Sequence, residues 1–312
     1  MRSFALALAF IWFGVAAAQD HPVRVKGERE GRGAVVRATN ESPIPVSVVV
    51  SFTELENLRS TERMPLVTVV PGNTVLDITR LSPEDPKKGW HYKLRFRYRY
   101  GSYNAGHDPA AMYRMPWLDG RTFVIGQAPG GPVITHNTPA SREAIDVPMP
   151  EGTPILAARA GIVFQAVSQN DTGGADESFR SKANVVRVLH GDGTIGNYVH
   201  LMHEGVAVKQ GERIEPGRII GYAGNTGQSS GPHLHFAVTR VVRDGDELTE
   251  VSEPFRFYIG QPPHLFRPQF GLVVKADYSS PGIPPQVLRR PARTTSPQAP
   301  SWPASAPAPS SR

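Results

Sequence analysis

The stretch Ser229–Val238, SSGPHLHFAV, sets two histidines one residue apart inside an apolar run. Its aromatic and β-branched content predicts a strand. In a strand, positions i and i+2 share a face, so His233 and His235 point one way while Leu234 and Phe236 point the other. A lone histidine in such a run is most simply a hydrogen-bonded core residue. Two on one face would repel each other if both were protonated, and neutral imidazole is a common metal ligand. The stretch therefore raises two questions: whether the surrounding chain is all β, and whether other metal-binding side chains accompany the pair.

The rest of the chain reads as short strands. Glycine and proline are each 30 of 312 residues, which suits strands joined by turns. PVSVVVSF (Pro45–Phe52), PLVTVV (Pro65–Val70) and NTVLDITRL (Asn73–Leu81) are β-branched and bounded by Pro, Gly or Asn. In WHYKLRFRYRY (Trp90–Tyr100), aromatic and leucine residues alternate with His91, Lys93, Arg95, Arg97 and Arg99. Period two puts rings on one face and cations on the other. The cation row is either a polyanion-binding face or a solvated face whose long stems cover apolar neighbours, and the second is the simpler. These strands predict an amino-terminal β-sandwich of immunoglobulin-like type over residues 19–125. Turn signals at Pro116, Asp119-Gly120 and Gly130-Gly131 mark the join to a second strand-rich region, 126–275. Residues 276–312, rich in Pro, Ser and Arg, are expected to form a disordered tail.

The first 18 residues read as a secretory signal: Arg2, an apolar run from Phe4 to Val15, and Ala16–Ala18 as a small-residue cleavage site. The apolar run is too short for a good membrane span. The expected location is outside the cytoplasm, in the periplasm or cell envelope, with no stable span after cleavage. The chain has no cysteine, so a metal site must be built from His, Asp or Glu. Net charge is +6, and the last 34 residues carry four arginines and no acid. In an exported protein this excess fits anionic envelope polymers rather than nucleic acid.

Two other segments answer the second question. In THNTPASREAIDVPMPEGTPILAARAGIV (Thr135–Val163), Asp146 lies between Ile145 and Val147, an unusual place for a carboxylate without a partner. His136 stands ten residues before it. In IGNYVHLMH (Ile195–His203), His200 sits in a strand-like run, at a spacing that puts it on the side of Tyr198.

Taken together, AIDVPMPEGTPILAARAGIV, NYVHL, VAVKQGERIEPGRIIGYAGNTG and SSGPHLHFAV resemble the lysostaphin/LytM-type family of zinc peptidases. The resemblance runs in colinear order from about Ser141 to Val238. It implies an all-β fold with a groove across an antiparallel sheet, and cleavage of peptide bonds in peptidoglycan stems or cross-links. By the same resemblance Asp146 and His235 bind one zinc per chain, while His200 and His233 act on the substrate. The family's first ligand is a histidine four residues before the aspartate, where this chain has Arg142, which cannot bind zinc. His136 is assigned in its place, the loop 137–143 bulging between two ligand-bearing strands. His136, Asp146 and His235 would leave a fourth position for water, the pattern of a catalytic zinc. The expected function is that of an exported murein endopeptidase. The alternative is a non-catalytic murein-binding regulator with the same fold.

Overall fold

A computed structural model describes residues 22–132, 135–279 and 284–287. The segment read as a signal and most of the expected tail lie outside the described residues.

Seven strands come first: β1 (Val23–Glu30), β2 (Gly33–Asn40), β3 (Val46–Glu56), β4 (Leu58–Ser60), β5 (Leu66–Val70), β6 (Thr74–Pro83) and β7 (His91–Tyr100). They form two antiparallel sheets, ordered β1-β2-β6-β4 and β5-β3-β7. The β-branched residues of β2 and β3 drive this, since Val36, Val46, Val48 and Val50 are buried from both sheets into one core with Leu81. The two-sheet sandwich is therefore present. Its order places the sixth strand beside the second, whereas a seven-strand constant-type immunoglobulin domain places the fifth there. Along β7 the alternation is as read, with rings half-buried and cations exposed. Three of the five meet carboxylates from distant chain: Lys93 and His91 meet Glu54 at 2.6 and 3.1 Å, and Arg97 meets Glu247 at 2.8 Å, while Arg95 and Arg99 make no ion pair among the described residues.

The second set comprises β8 (Met112–Arg114), β9 (Thr122–Val124), β10 (Ile145–Pro148), β11 (Pro154–Leu156), β12 (Gly161–Val167), β13 (Gly173–Gly174), β14 (Asn184–Leu189), β15 (Ile195–Val206), β16 (Arg213–Ile214), β17 (Ile219–Ala223), β18 (Gly227–Gln228), β19 (His233–Asp244), β20 (Glu247–Ser252), β21 (Arg256–Ile259), β22 (His264–Phe266) and β23 (Leu272–Lys275). A large antiparallel sheet runs β10-β19-β15-β14-β12-β16, with β20 beside β19 and β17 joining β15 to β11. One face packs on the main core, where Tyr198, Phe236, Leu234 and Val238 meet Tyr113, Met115, Trp117 and Phe257, all fully buried. Tyr113 and Trp117 precede residue 125, and β8 pairs in parallel with β21. The boundary expected at 125 thus falls inside this second core. At the other end, Ala276 is fully buried, and Tyr278 stacks under Arg114 and accepts a hydrogen bond from the Met115 N–H. Both residues fall in the segment expected to be a disordered tail.

The opposite face of the sheet carries His233 and His235, then Ala237, Thr239 and Val241 by period two along an unbroken register. The sandwich sits on this same face. Val241 and Leu248 pack with Val49 and Val67, and Ile195 and Phe164 pack with Ile44 and Tyr100. From His235 to Val241 is about 20 Å along β19 at ~3.3 Å per residue. The sandwich therefore packs on the far end of the face, about 20 Å from the histidine end.

Candidate metal centre

His136, Asp146, His200, His233 and His235 gather at one end of the sheet face. The register pairs Asp146 of β10 directly with His235 of β19, and Pro148 with His233. Directly opposed residues point to the same side, so the Asp146 carboxylate meets the His235 ring, with Oδ1 2.9 Å from Nδ1. Their neighbours Ile145, Val147, Leu234 and Phe236 fill the core behind them. This explains why a carboxylate can stand between Ile145 and Val147: the strand alternates, and only the residues on either side of it are buried in the core.

His136 arrives from outside the sheet. It lies in irregular chain rather than on a strand, and its Nε2 is 3.2 Å from Asp146 Oδ2. Its ring is fixed by Nδ1–H donating to the Ala144 carbonyl at 3.2 Å. Just before it, Thr135 is hydrogen-bonded to the side chain of Gln127, whose backbone pairs with Asp146. The loop between the two ligand candidates is itself anchored, since the Ser252 backbone N–H and hydroxyl both donate to the Pro139 carbonyl. Arg142 is exposed and has no side-chain hydrogen bond or ion pair among the described residues. The ten-residue interval is thus a docked loop that carries Arg142 away and brings His136 in.

His200 reaches the site by a route that period two does not give. Val185 pairs with Val199 and Asn184 with Leu201, so His200 is the extra residue of a β-bulge. It adopts φ +65°, in the left-handed region. Tyr198 and Leu201 both point into the core. The bulge turns His200 to the other face, correcting the expectation that it lies on the side of Tyr198. Its ring centroid is 4.6 Å from that of His233 and 6.0 Å from that of His235. Its Nδ1–H donates to the Thr226 carbonyl at 2.7 Å. His233 is held the same way, Nδ1–H donating to the Gly231 carbonyl at 2.8 Å, with the Ser229 hydroxyl 3.2 Å away. A carbonyl only accepts, so both rings, when neutral, carry their proton on Nδ1 and leave the Nε2 lone pair free.

The glycine-rich run after β17 makes these contacts possible. Gly227 has φ +78°, and a Cβ there would lie 2.5 Å from the Cβ of Ala183. Thr226 is locked by donating to the Leu201 carbonyl and accepting from the Asn184 N–H. The supporting roles of Thr226, Gly231 and Ala144 escaped the sequence reading because they act through backbone carbonyls, which carry no residue-specific signal.

His136 Nε2, one Asp146 oxygen and one His235 ring nitrogen offer three donor atoms within 4.8 Å of one another. Burial disfavours the charged carboxylate, but hydrogen bonds from His136 and His235 outweigh it and hold Asp146 well below the usual carboxylate range. Because His136 spends Nδ1–H on Ala144, it can donate to Asp146 only as the imidazolium. A cation shared by the three donors removes that requirement, so the residues present fit a metal. Burial first, then the nearby His233 and His235, pushes His200 down to about 3.

A family model described as peptidase family M23 matches residues 140–248. The M23 domain lies there. The match includes Asp146, His200, His233 and His235 and begins after His136. Relatives of the M23 domain include an uncharacterized metalloprotease of Buchnera aphidicola, 35% identical over 107 residues (34% of this chain, 25% of the relative). Peptidoglycan DD-endopeptidase ShyC of Vibrio cholerae is 40% identical over 91 residues (29% and 18%). The matched stretch therefore spans a quarter or less of these relatives' length. The structure of the antimicrobial peptidase lysostaphin from Staphylococcus simulans aligns over 42% of this chain and 46% of its own, with 26% identity and a TM-score of 0.31. Among the described residues no helix is long and apolar enough to cross a membrane.

The other histidines of the M23 domain fall outside the site. His203 is exposed. His190 is buried, with Nδ1–H donating to the Ala160 carbonyl at 2.8 Å and Nε2 unpartnered. Burial pushes it down to about 4. The unfolded chain then binds a proton near pH 6.5 that the folded chain refuses until about pH 4, so stability is expected to fall as pH drops through that window. The loss is of order 1–3 kcal/mol. Urea midpoints at pH 7 and pH 4.5 should separate more in the wild type than in His190→Gln, which keeps the donor to Ala160 without the titration.

Proposed function

We propose that the protein is an exported zinc metallopeptidase that hydrolyses peptide bonds in peptidoglycan stems or cross-links. The observation that carries this reading is the convergence of three metal donors, His136, Asp146 and His235, with two further imidazoles whose Nε2 atoms are unspent. The peptidoglycan endopeptidases among the M23 relatives support the substrate class. When bound, zinc supplies Lewis acidity toward a carbonyl and a more acidic water in the position the three donors leave open.

The chain's own residues then divide the remaining work. His136 is held in orientation by the Ala144 carbonyl on Nδ1, which leaves its Nε2 facing Asp146. His200 and His233 stand side by side and present proton-accepting Nε2 atoms when neutral. In this reading one of them takes the proton that an attacking water loses and returns it to the leaving amine.

Digestion of purified sacculi with and without a chelator tests the reading. Soluble peptide-cleaved fragments, identified by mass, should appear only without the chelator and return when zinc is restored. Sacculi bound but never cleaved by zinc-loaded protein would instead establish a binding regulator. A second measurement addresses the displaced ligand. Arg142→Ala should retain the metal as the wild type does, whereas His136→Ala should weaken retention by about tenfold or more, read as zinc per chain after dialysis.

A further inference from the structure

Cations that the M23 domain does not use gather at the free end of the sandwich. β7 is ten residues long, so its ends lie about 30 Å apart at ~3.3 Å per residue. Tyr100, at one end, packs on Phe164 of the large sheet, with ring centroids 4.9 Å apart. Just beyond the other end, Trp90 lines a cleft of about 690 Å³ with Arg29, Arg32, Lys87 and Lys88, and no carboxylate lines it.

The nearby acids are already committed. Glu28 pairs with Arg37, Glu30 with Arg80 and Glu84 with Arg59. Asp85 reaches Lys88 at 3.6 Å, while Arg29, Arg32 and Lys87 make no ion pair among the described residues. The walls are pinned from within. The Asn57 carboxamide nitrogen lies 2.9–3.2 Å from the carbonyls of Asp85, Lys88 and Gly89, fixing one loop. The Trp90 indole N–H donates to the Arg32 carbonyl at 2.8 Å, fixing the facing turn. The Arg29 guanidinium lies over the Trp90 ring, 5.5 Å from its centroid, and Tyr92 stacks with the same ring at 6.1 Å, so the indole is held in place beside a cation. Along β7, Lys93 and Arg97 are spent on Glu54 and Glu247, and none of the row's cations lines this cleft.

An indole bordered by unmatched cations suits a sugar ring that bears an acid. The half-buried indole offers apolar area to the C–H face of the ring, and the guanidinium and ammonium groups take the carboxylate or phosphate. One indole at the cleft, rather than a row of stacking rings along a basic track, sets it apart from single-stranded nucleic-acid grooves. We infer that this cleft binds an anionic glycan, with a sugar ring against Trp90 and its acid against Arg29, Arg32, Lys87 and Lys88. A polymer held there keeps its other groups within reach of the large sheet and raises their local concentration. The inference does not rest on the peptidase reading, since it uses neither the metal donors nor His200 and His233.

Fluorescence anisotropy with the whole chain tests it. The probes are labelled polyglucuronate, which carries carboxylates, a labelled phosphomannan, which carries phosphates, neutral dextran and a short single-stranded DNA. The wild type should bind at least one of the two anionic glycans, more weakly as salt rises, and should ignore dextran. Whichever glycan is preferred names the acid. The triple variant Arg29→Glu/Lys87→Glu/Lys88→Glu, altered only at exposed positions, should bind about tenfold more weakly or worse. Lys93→Ala should bind as the wild type does. His235→Ala should also keep this affinity, so loss of the metal and loss of the glycan are separable results. Equal binding by the triple variant, binding of neither anionic glycan, or preference for the DNA over both would overturn the inference.

Discussion

Replacing His235 by alanine is expected to remove metal and turnover together. Three protein donors leave one open position on zinc, and two donors alone hold the ion poorly. The substitution also takes away one of the two histidines that hold the Asp146 carboxylate ionised despite its burial. The remaining pair, His136 and Asp146, is therefore weakened as well as incomplete. The fold should survive, because the core side of β19 is made by Leu234, Phe236 and Val238, which point away from the site. The expected result is zinc near zero per chain after dialysis, against about one for the wild type. Release of fragments from sacculi should fall by about 10³-fold or more. Retention of stoichiometric zinc by His235→Ala would show that the ion sits elsewhere and would remove the basis of the metal assignment.

The parts of this site that were legible in the sequence are those carried by side-chain identity and local period. His233 and His235 share a face because they are two apart in an uninterrupted strand, and the observed register keeps that period through Val241. Asp146 was legible for the same reason, as a carboxylate between two core residues. His200 was found by its motif, but its direction was wrong. A single inserted residue reverses every side chain beyond it, and a histidine at φ +65° leaves no mark in composition. The sandwich was legible from β-branched runs, while its strand order was not, because pairing β6 rather than β5 with β2 is a long-range choice. The same holds for Tyr113 and Trp117, which look like part of a linker and become core only when β8 pairs with β21 across more than 140 residues. The cation row of β7 was read correctly as alternating, yet its carboxylate partners at Glu54 and Glu247 are visible only once the sheets are assembled.

His233→Ala should separate what His235→Ala removes together. His233 shares the strand and the face of His235, but its Nδ1–H is committed to the Gly231 carbonyl, and its Nε2 lies 3.7 Å from Asp146, farther than either His136 or His235. It is not needed to complete three donors. Zinc per chain is therefore expected to stay near the wild-type value. Turnover should fall by about 10²–10⁴-fold, the range for loss of a positioned proton-transfer group. The fall should appear in kcat more than in KM, since a group that acts in the transition state contributes little to ground-state binding. The contrast with His200 sharpens the test. His200 is nearly buried and tied to Thr226, so its loss opens a hole beside Leu201 as well as removing a ring. Its alanine variant should lower thermal stability along with turnover, whereas the more exposed His233→Ala should lower turnover alone. Loss of zinc from His233→Ala would move that residue from proton transfer to metal binding and leave His200 as the single proton carrier. Full activity in His233→Ala would exclude it from the chemistry.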